Sequence, residues 1–203
     1  MSPGASASEM TFVTGGARSG KSRYAEGLAA AAGTPVLYVA TAEARDGEMA
    51  RRVAEHRRRR PPEWRTLEAR RGVAAALGEY APAGLAGSVV LLDCLSLLVS
   101  NILLDLSAER GEGEGLEAAA GRAVTAELRA MIEWHSASGA RLILVSNEVG
   151  WGVVPPHRLG RIYRDLLGSA NQRLAACATE AYLLVAGLPL RLKGGDESAG
   201  PPP

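Results

Sequence analysis

Gly15-Gly16-Ala17-Arg18-Ser19-Gly20-Lys21-Ser22 fits the spacing G-x-x-x-x-G-K-[ST], and each residue type in it answers a chemical need. Glycines let the backbone curl so that successive N–H groups face phosphate oxygens, and a helix beginning behind them offers its positive end. Lys21 is placed to reach the β- and γ-phosphates, and the Ser22 hydroxyl to ligate Mg2+. The same pattern also arises as a plain glycine turn with a surface lysine. A strand directly before it and a helix directly after, with Tyr24 and Leu28 as an i, i+4 apolar pair, decide for a nucleoside triphosphate site. Such a site asks for an acid at the end of a nearby strand. Val89-Val90-Leu91-Leu92-Asp93 supplies an apolar run closed by a carboxylate. Asp93 would also serve as a helix N-cap. The two roles are compatible, and beside a phosphate loop the metal role carries more weight.

A second cluster is Glu55-His56-Arg57-Arg58-Arg59-Arg60-Pro61, which holds one of the three histidines of the chain. On a helix, Met49, Val53 and His56 share one face, while Glu55, Arg51 and Arg58 point elsewhere. Pro61 then ends the helix. His56 is thus either a core-facing histidine beside a solvated basic turn or a nucleophile. Attack on phosphorus requires an unprotonated ring nitrogen, and neighbouring guanidinium groups disfavour the imidazolium form. The same groups would bind the phosphates of an incoming triphosphate through paired hydrogen bonds. His135 and His157 lack this setting and are given no catalytic role.

The elements that must hold these groups alternate along the chain. Met10 to Thr14, Val36 to Ala40, Val89 to Leu92, Leu142 to Ser146 and Ala181 to Val185 are short apolar runs, the pattern of parallel strands buried on both faces. Trp64 to Leu67 reads as a further strand and Leu188 to Lys193 as an edge strand. Helices are expected over 20–32, 47–59, 72–80, 95–105, 116–138 and 156–178. Residues 107–115, rich in glycine and charge, read as a mobile loop. The alternation implies an α/β fold with a mostly parallel central sheet and helices on both faces. In such a fold ligands bind beyond the carboxyl ends of the strands. One catalytic domain is expected over 10–193, with flexible tails at 1–9 and 194–203.

Composition narrows the class. With 203 residues, 47% hydrophobic and 22% charged, the chain can bury a real core. Lys plus Arg number 23 against 22 Asp plus Glu, so no global field favours nucleic acid or an anionic membrane. Two cysteines, Cys94 and Cys177, have neither metal spacing nor a disulfide framework, which suits a reducing compartment. No signal-like segment opens the chain, and no apolar run reaches the roughly 20 residues that span a bilayer. A cytoplasmic protein without a membrane span is expected.

The sequence resembles the bifunctional adenosylcobinamide kinase/adenosylcobinamide-phosphate guanylyltransferase family of cobalamin assembly from Thr11 to Lys193. The marks are Thr14 to Arg23, Tyr38-Val39-Ala40-Thr41-Ala42, Asp46 to Ala50 leading to His56, Arg60-Pro61, Trp64 to Glu68 and Leu92-Asp93-Cys94-Leu95. They continue with Asn147-Glu148-Val149-Gly150 running to Pro155, Arg164-Asp165-Leu166-Leu167-Gly168 and Asn171 to Ala175. The later blocks are far more specific than the phosphate loop.

The resemblance implies a RecA-like P-loop NTPase fold, a homotrimer, and two activities. ATP or GTP would phosphorylate the aminopropanol hydroxyl of adenosylcobinamide. GMP from GTP would then pass through a histidine to adenosylcobinamide phosphate. The histidine falls on His56, with Lys21 serving catalysis from the loop. Nucleotide contacts fall on Gly15, Gly16, Ala17, Arg18, Ser19, Gly20, Lys21 and Ser22, on Ala40, Thr41 and Ala42, on Arg57, Arg58, Arg59 and Arg60, and on Glu68 and Asp93. Ser22 and Asp93 are the expected Mg2+ groups; Asp93 stands where some relatives have Glu.

Two other readings compete: a monofunctional P-loop small-molecule kinase in which His56 is structural, and a DNA-dependent ATPase, against which the near-neutral charge weighs. Asn147 and Glu148 are candidates for substrate or water binding or for helix capping. Arg164, Asp165 and Asn171 equally suit subunit contacts. Trp64 and Trp151 read as packing residues, and Leu159, Ile162, Leu166 and Leu174 as a core stripe.

Overall fold

The apolar runs assemble into one seven-stranded sheet, seen in a computed structural model that describes residues 9–42, 58 and 60–195. The strands are β1 (Met10–Gly15), β2 (Val36–Ala40), β3 (Arg65–Glu68), β4 (Val89–Asp93), β5 (Arg141–Val145), β6 (Glu180–Val185) and β7 (Leu188–Lys193). Their order across the sheet is β3-β2-β4-β5-β1-β6-β7. All neighbours are parallel except the β6–β7 hairpin, which is antiparallel. Every strand expected from the sequence is present. The apolar strand runs, the flanking turn residues and the helices that cover both faces follow from the same alternation.

The helices among the described residues are α1 (Lys21–Ala31), α2 (Val73–Tyr80), α3 (Leu95–Arg110), α4 (Leu116–Ser138) and α5 (Arg158–Cys177). Alternating side chains of the strands build two cores. Val13, Tyr38, Leu91, Val145 and Leu184 face Ala25 and Ala29 of α1. Phe12, Val39, Leu92 and Leu144 face the other way, toward α2, α3, α4 and α5. The small alanines of α1 bring that helix close to the sheet, next to the loop that starts it. Ile162 and Leu174 are buried and Leu159 and Leu166 pack against the same core, so the α5 stripe is borne out.

Two expectations change. Residues 107–110 are the last residues of α3 rather than part of a loop. Ser-Ala-Glu-Arg contains no proline or glycine, so nothing stops the helix before Gly111. The connection shrinks to 111–115. Trp64 packs against the α1-side core, as read, but Trp151 is 76% exposed. Its neighbours Gly150 and Gly152 offer no side chain to cover it. The helix expected over 47–59 lies outside the described residues apart from Arg58, which is helical and exposed. The tail residues 1–8 and 196–203 lie outside them as well.

Candidate active site at the carboxyl edge of the sheet

Register places the candidate residues side by side. Glu68 pairs with Ala40, Ala40 with Asp93, Asp93 with Val145, and Val145 with Val13. One row across the carboxyl edge thus joins the ends of β3, β2 and β4 to the strand that launches the phosphate loop.

The loop leaves β1 at Gly15. A Cβ there would stand 2.6 Å from the Leu184 carbonyl oxygen and 2.7 Å from Ser19 Oγ, so only glycine fits between β6 and the loop. Gly20 has φ 94° as the residue before α1, and a Cβ on it would lie 3.2 Å from Gly187 Cα. The β6–β7 turn is therefore a brace: the Gly187 N–H donates to the Ser19 carbonyl at 2.9 Å. Within the loop, Ser19 N–H donates to the Gly16 carbonyl at 3.2 Å. Gly16, Ala17 and Arg18 are exposed while Ser19 is buried. The hydroxyls of Thr14 and Ser19 are buried without a hydrogen-bond partner. Buried orphans of this kind call for an explanation, and an oxygen-rich ligand in the loop gives one.

Lys21 arches over the loop, its Nζ donating to the Gly16 carbonyl at 3.2 Å. Burial pulls its pKa down, and nearby Cys94 and Asp93 push it back up. The Asp93 charge thus reaches Lys21 across the carboxyl edge of the sheet. Ser22 follows in the first turn of α1.

Asp93 is half-buried, and its Oδ2 accepts from the Tyr38 hydroxyl at 3.0 Å. The Tyr38 ring in turn lies under Arg60, whose guanidinium carbon stands 3.3 Å from the ring centroid. The Tyr38 hydroxyl is held well above its usual pKa, by burial first and by the Asp93 charge second, so it remains a donor. Arg60 Nε is buried without a partner. Arg60 is thus stacked on an aromatic face, a stronger constraint than the solvated fan expected for the arginine run. Glu68 is exposed at the end of β3, and Ala42 is half-buried just beyond β2. His56, Arg57 and Arg59 lie outside the described residues.

Behind this edge runs a buried polar network. Thr41 Oγ1 donates to the Cys94 carbonyl at 2.7 Å and accepts from the Cys94 N–H at 2.8 Å. Asn101 Nδ2 donates to the Thr41 carbonyl at 3.0 Å. Cys94 Sγ and Ser96 Oγ are 2.8 Å apart, and Asn147 Nδ2 donates to Ser96 Oγ at 3.0 Å. Asn171 donates to the Asn147 carbonyl and accepts from Ser146 Oγ at 2.6 Å. Burial, reinforced by the Asp93 charge, pushes the Cys94 thiol up to about 11, so this sulfur stays protonated within the network.

Several expectations sharpen here. Thr41 is fully buried and shapes the site from behind. Asn171 points into the protein, tying α5 to the end of β5. Asn147 has committed its amide to Ser96. Glu148 borders the loop directly: its N–H donates to the Gly15 carbonyl at 3.0 Å, and its Oε1 accepts from the Gly150 N–H at 2.7 Å. Arg164 and Asp165 pair weakly with each other at 3.5 Å. Buried His135 sits 3.3 Å from the Glu9 carbonyl, its pKa lowered by burial, far in role from the loop.

Sequence reasoning missed the parts played by Tyr38, Ser96 and Gly187. Their signals were a phenol inside an apolar strand, a serine one turn after the acid, and a glycine in a tight hairpin. Each gains meaning only when its spatial neighbour is known.

Among the described residues, no three His, Cys, Asp or Glu side chains converge as a metal cage. Magnesium on a triphosphate needs none, since it takes one or two protein oxygens alongside phosphate and water. The hydroxyl of Ser22 and the carboxylate of Asp93 are oxygen donors of the right hardness. Among the described residues, no helix is long and apolar enough to cross a membrane.

The chain is similar to known proteins over nearly its whole length. Residues 11–192 match the family described as cobinamide kinase / cobinamide phosphate guanyltransferase. The bifunctional adenosylcobalamin biosynthesis proteins CobU of Escherichia coli and of Salmonella typhimurium are each 42% identical over 185 residues, covering 91% of this chain and 99% of those proteins. The bifunctional adenosylcobalamin biosynthesis protein CobP of Pseudomonas aeruginosa is 47% identical over 183 residues, covering 90% of this chain and 96% of its own. The chain belongs to the cobinamide kinase / cobinamide phosphate guanyltransferase family.

Proposed function

We propose that this carboxyl-edge site carries both reactions of a bifunctional enzyme of cobalamin assembly, with His56 as the group that bears GMP. In the kinase reaction the aminopropanol hydroxyl of adenosylcobinamide attacks the γ-phosphorus of ATP or GTP. An O–P bond forms and the nucleoside diphosphate leaves. In the transferase reaction a ring nitrogen of His56 attacks the α-phosphorus of GTP and pyrophosphate departs. A phosphate oxygen of adenosylcobinamide phosphate then displaces the histidine, giving adenosylcobinamide-GDP. Splitting one displacement into two is the advantage of a covalent intermediate.

One contact supports the reading above all: Arg60 stacked on Tyr38, which itself donates to Asp93. It ties the end of the arginine run to the metal-side acid. The chain between Ala42 and Arg60 therefore leaves and rejoins the body at the same edge of the sheet, and His56 is only four positions from the anchored end. The amides of Gly15 to Ser22 and the Lys21 ammonium hold the triphosphate. Arg57, Arg58 and Arg59 are the remaining guanidiniums available to its oxygens, and Ala40, Ala42 and Glu68 border the nucleotide. Mg2+ would be held by Ser22 and Asp93, and when bound it supplies positive charge to the phosphate oxygens. We assign the catalytic domain to residues 10–193 and expect a homotrimer working in the cytoplasm.

Labelling with α-labelled GTP tests the assignment and separates it from a monofunctional kinase. His56→Ala should lose acid-labile label on the protein while keeping kinase activity. Lys21→Ala should weaken both reactions by at least tenfold, since both need the triphosphate held. Undiminished labelling of the His56 variant would remove this histidine from the mechanism.

A further inference from the structure

Residues 146–157 run from the end of β5 to α5 without helix or strand, yet they are pinned at both ends. At the first end Glu148 N–H donates to the Gly15 carbonyl at 3.0 Å, and Glu148 Oε1 accepts from Gly150 N–H at 2.7 Å. At the other, Arg161 Nη1 donates to the carbonyls of Pro155 at 3.0 Å and Pro156 at 2.7 Å. Gly160 lies so close that a Cβ on it would stand 2.9 Å from Pro155 Cβ. Between these pins Trp151 is 76%, Val153 95% and Val154 58% exposed.

A slack loop would turn such side chains inward; this one holds them in water, the usual mark of a surface that meets a ligand. The segment from Val149 to Pro156 carries no charged residue, so it suits an uncharged, apolar-faced occupant and not the triphosphate. Glu148, the residue just before it, is hydrogen-bonded through its N–H to the carbonyl of Gly15, the first residue of the phosphate loop. A molecule lying on it would have one end beside the phosphate loop.

We infer that Trp151, Val153 and Val154 form the platform on which the corrin macrocycle of the acceptor rests. The inference depends on the reading of the chain as a cobinamide kinase. A large ring with apolar faces matches the uncharged patch, and its aminopropanol arm extends toward the loop. Trp151 supplies stacking area and the valines extend it, so the platform acts on the acceptor alone and leaves the nucleotide untouched.

The test is a steady-state kinase assay on the full chain, with adenosylcobinamide as the varied substrate. Trp151→Ala should raise its KM at least tenfold and Trp151→Phe should restore most of the affinity. The KM for the nucleotide, the label transferred from α-labelled GTP and the sedimentation mass should stay within twofold of the parent chain. An unchanged cobinamide KM in Trp151→Ala, with the parent chain active, overturns the platform while leaving the enzymatic reading intact. Loss of the native mass in that variant also overturns it, by assigning the patch to a second copy of the chain. A parent chain that fails to phosphorylate cobinamide brings down the functional reading and the platform together.

Discussion

Tyr38 connects two groups to which the proposed mechanism gives work. Its hydroxyl fixes one oxygen of Asp93, and its ring carries Arg60. The two functions separate by substitution. Tyr38→Phe removes the hydroxyl and keeps the stacking surface. It should cost about 1 kcal/mol of stability, the usual net value of one hydrogen bond, with protein labelling from GTP largely preserved. Tyr38→Leu also removes the cation–π contact, of order 1–2 kcal/mol when desolvated, and so frees the anchored end of the arginine run. Labelling of His56 should then fall at least tenfold, more steeply than kinase turnover. Equal losses in the two variants would shift the role from the ring to the hydroxyl. The phosphate loop was legible residue by residue because its backbone chemistry admits few alternatives. Tyr38 was not, because within Val36 to Ala40 a tyrosine reads as one more strand former. Only the β2–β4 register brings its hydroxyl to Asp93.

The turn between β3 and α2 shows how neighbouring segments are fixed by charge as well as by packing. Arg70 binds Asp105 of α3 through two hydrogen bonds of 2.8 Å, and Arg71 adds one of 2.9 Å. Glu127 of α4 accepts from the N–H groups of Gly72 and Val73, capping α2. The hydrogen bond from Arg70 is the main reason the Asp105 carboxyl is held down at about 2, from an ordinary 3.8. Because the folded value is the depressed one, the stabilisation is complete above the unfolded value and is lost as pH falls through about 2. The full shift corresponds to about 2 kcal/mol, but both arginines are about a third exposed, with side-chain values of 35% and 37%. Screening reduces the net effect to about 1 kcal/mol. Asp105→Asn should therefore unfold at lower urea concentration at pH 7, and the gap from the parent chain should close between about pH 4 and pH 2. A gap that persists below pH 2 would point to packing instead of charge. Sequence pattern found α3 but ended it early, since the charged end of the helix looks like the loop that follows. Only the chain's own neighbours decide such a boundary.

The strand order makes the nucleotide site a property of both ends of the chain. β1 launches the phosphate loop, yet its partners are β5 and β6, contributed by residues 141–145 and 180–185. The loop is closed from behind by Leu184 and braced by Gly187. Alternation of short apolar runs with helices predicted a parallel sheet. It carried no information on this order, because apolar strands of similar length are interchangeable until tertiary contacts choose among them. Since the loop is held by β1, β6 and the β6–β7 turn, a nucleotide that binds it would stabilise the entire fold. With Mg2+ and GTP at about one hundred times the dissociation constant, linkage gives about 2.7 kcal/mol. For a chain of this length that raises the thermal midpoint by about 5–10 °C. Lys21→Ala should keep the nucleotide-free midpoint nearly unchanged, because among the described residues the side chain gives up one hydrogen bond, to the Gly16 carbonyl. It should lose most of the ligand-induced rise at the same concentrations. If scanning calorimetry found the full rise preserved in that variant, the triphosphate would be bound somewhere other than the loop from Gly15 to Ser22.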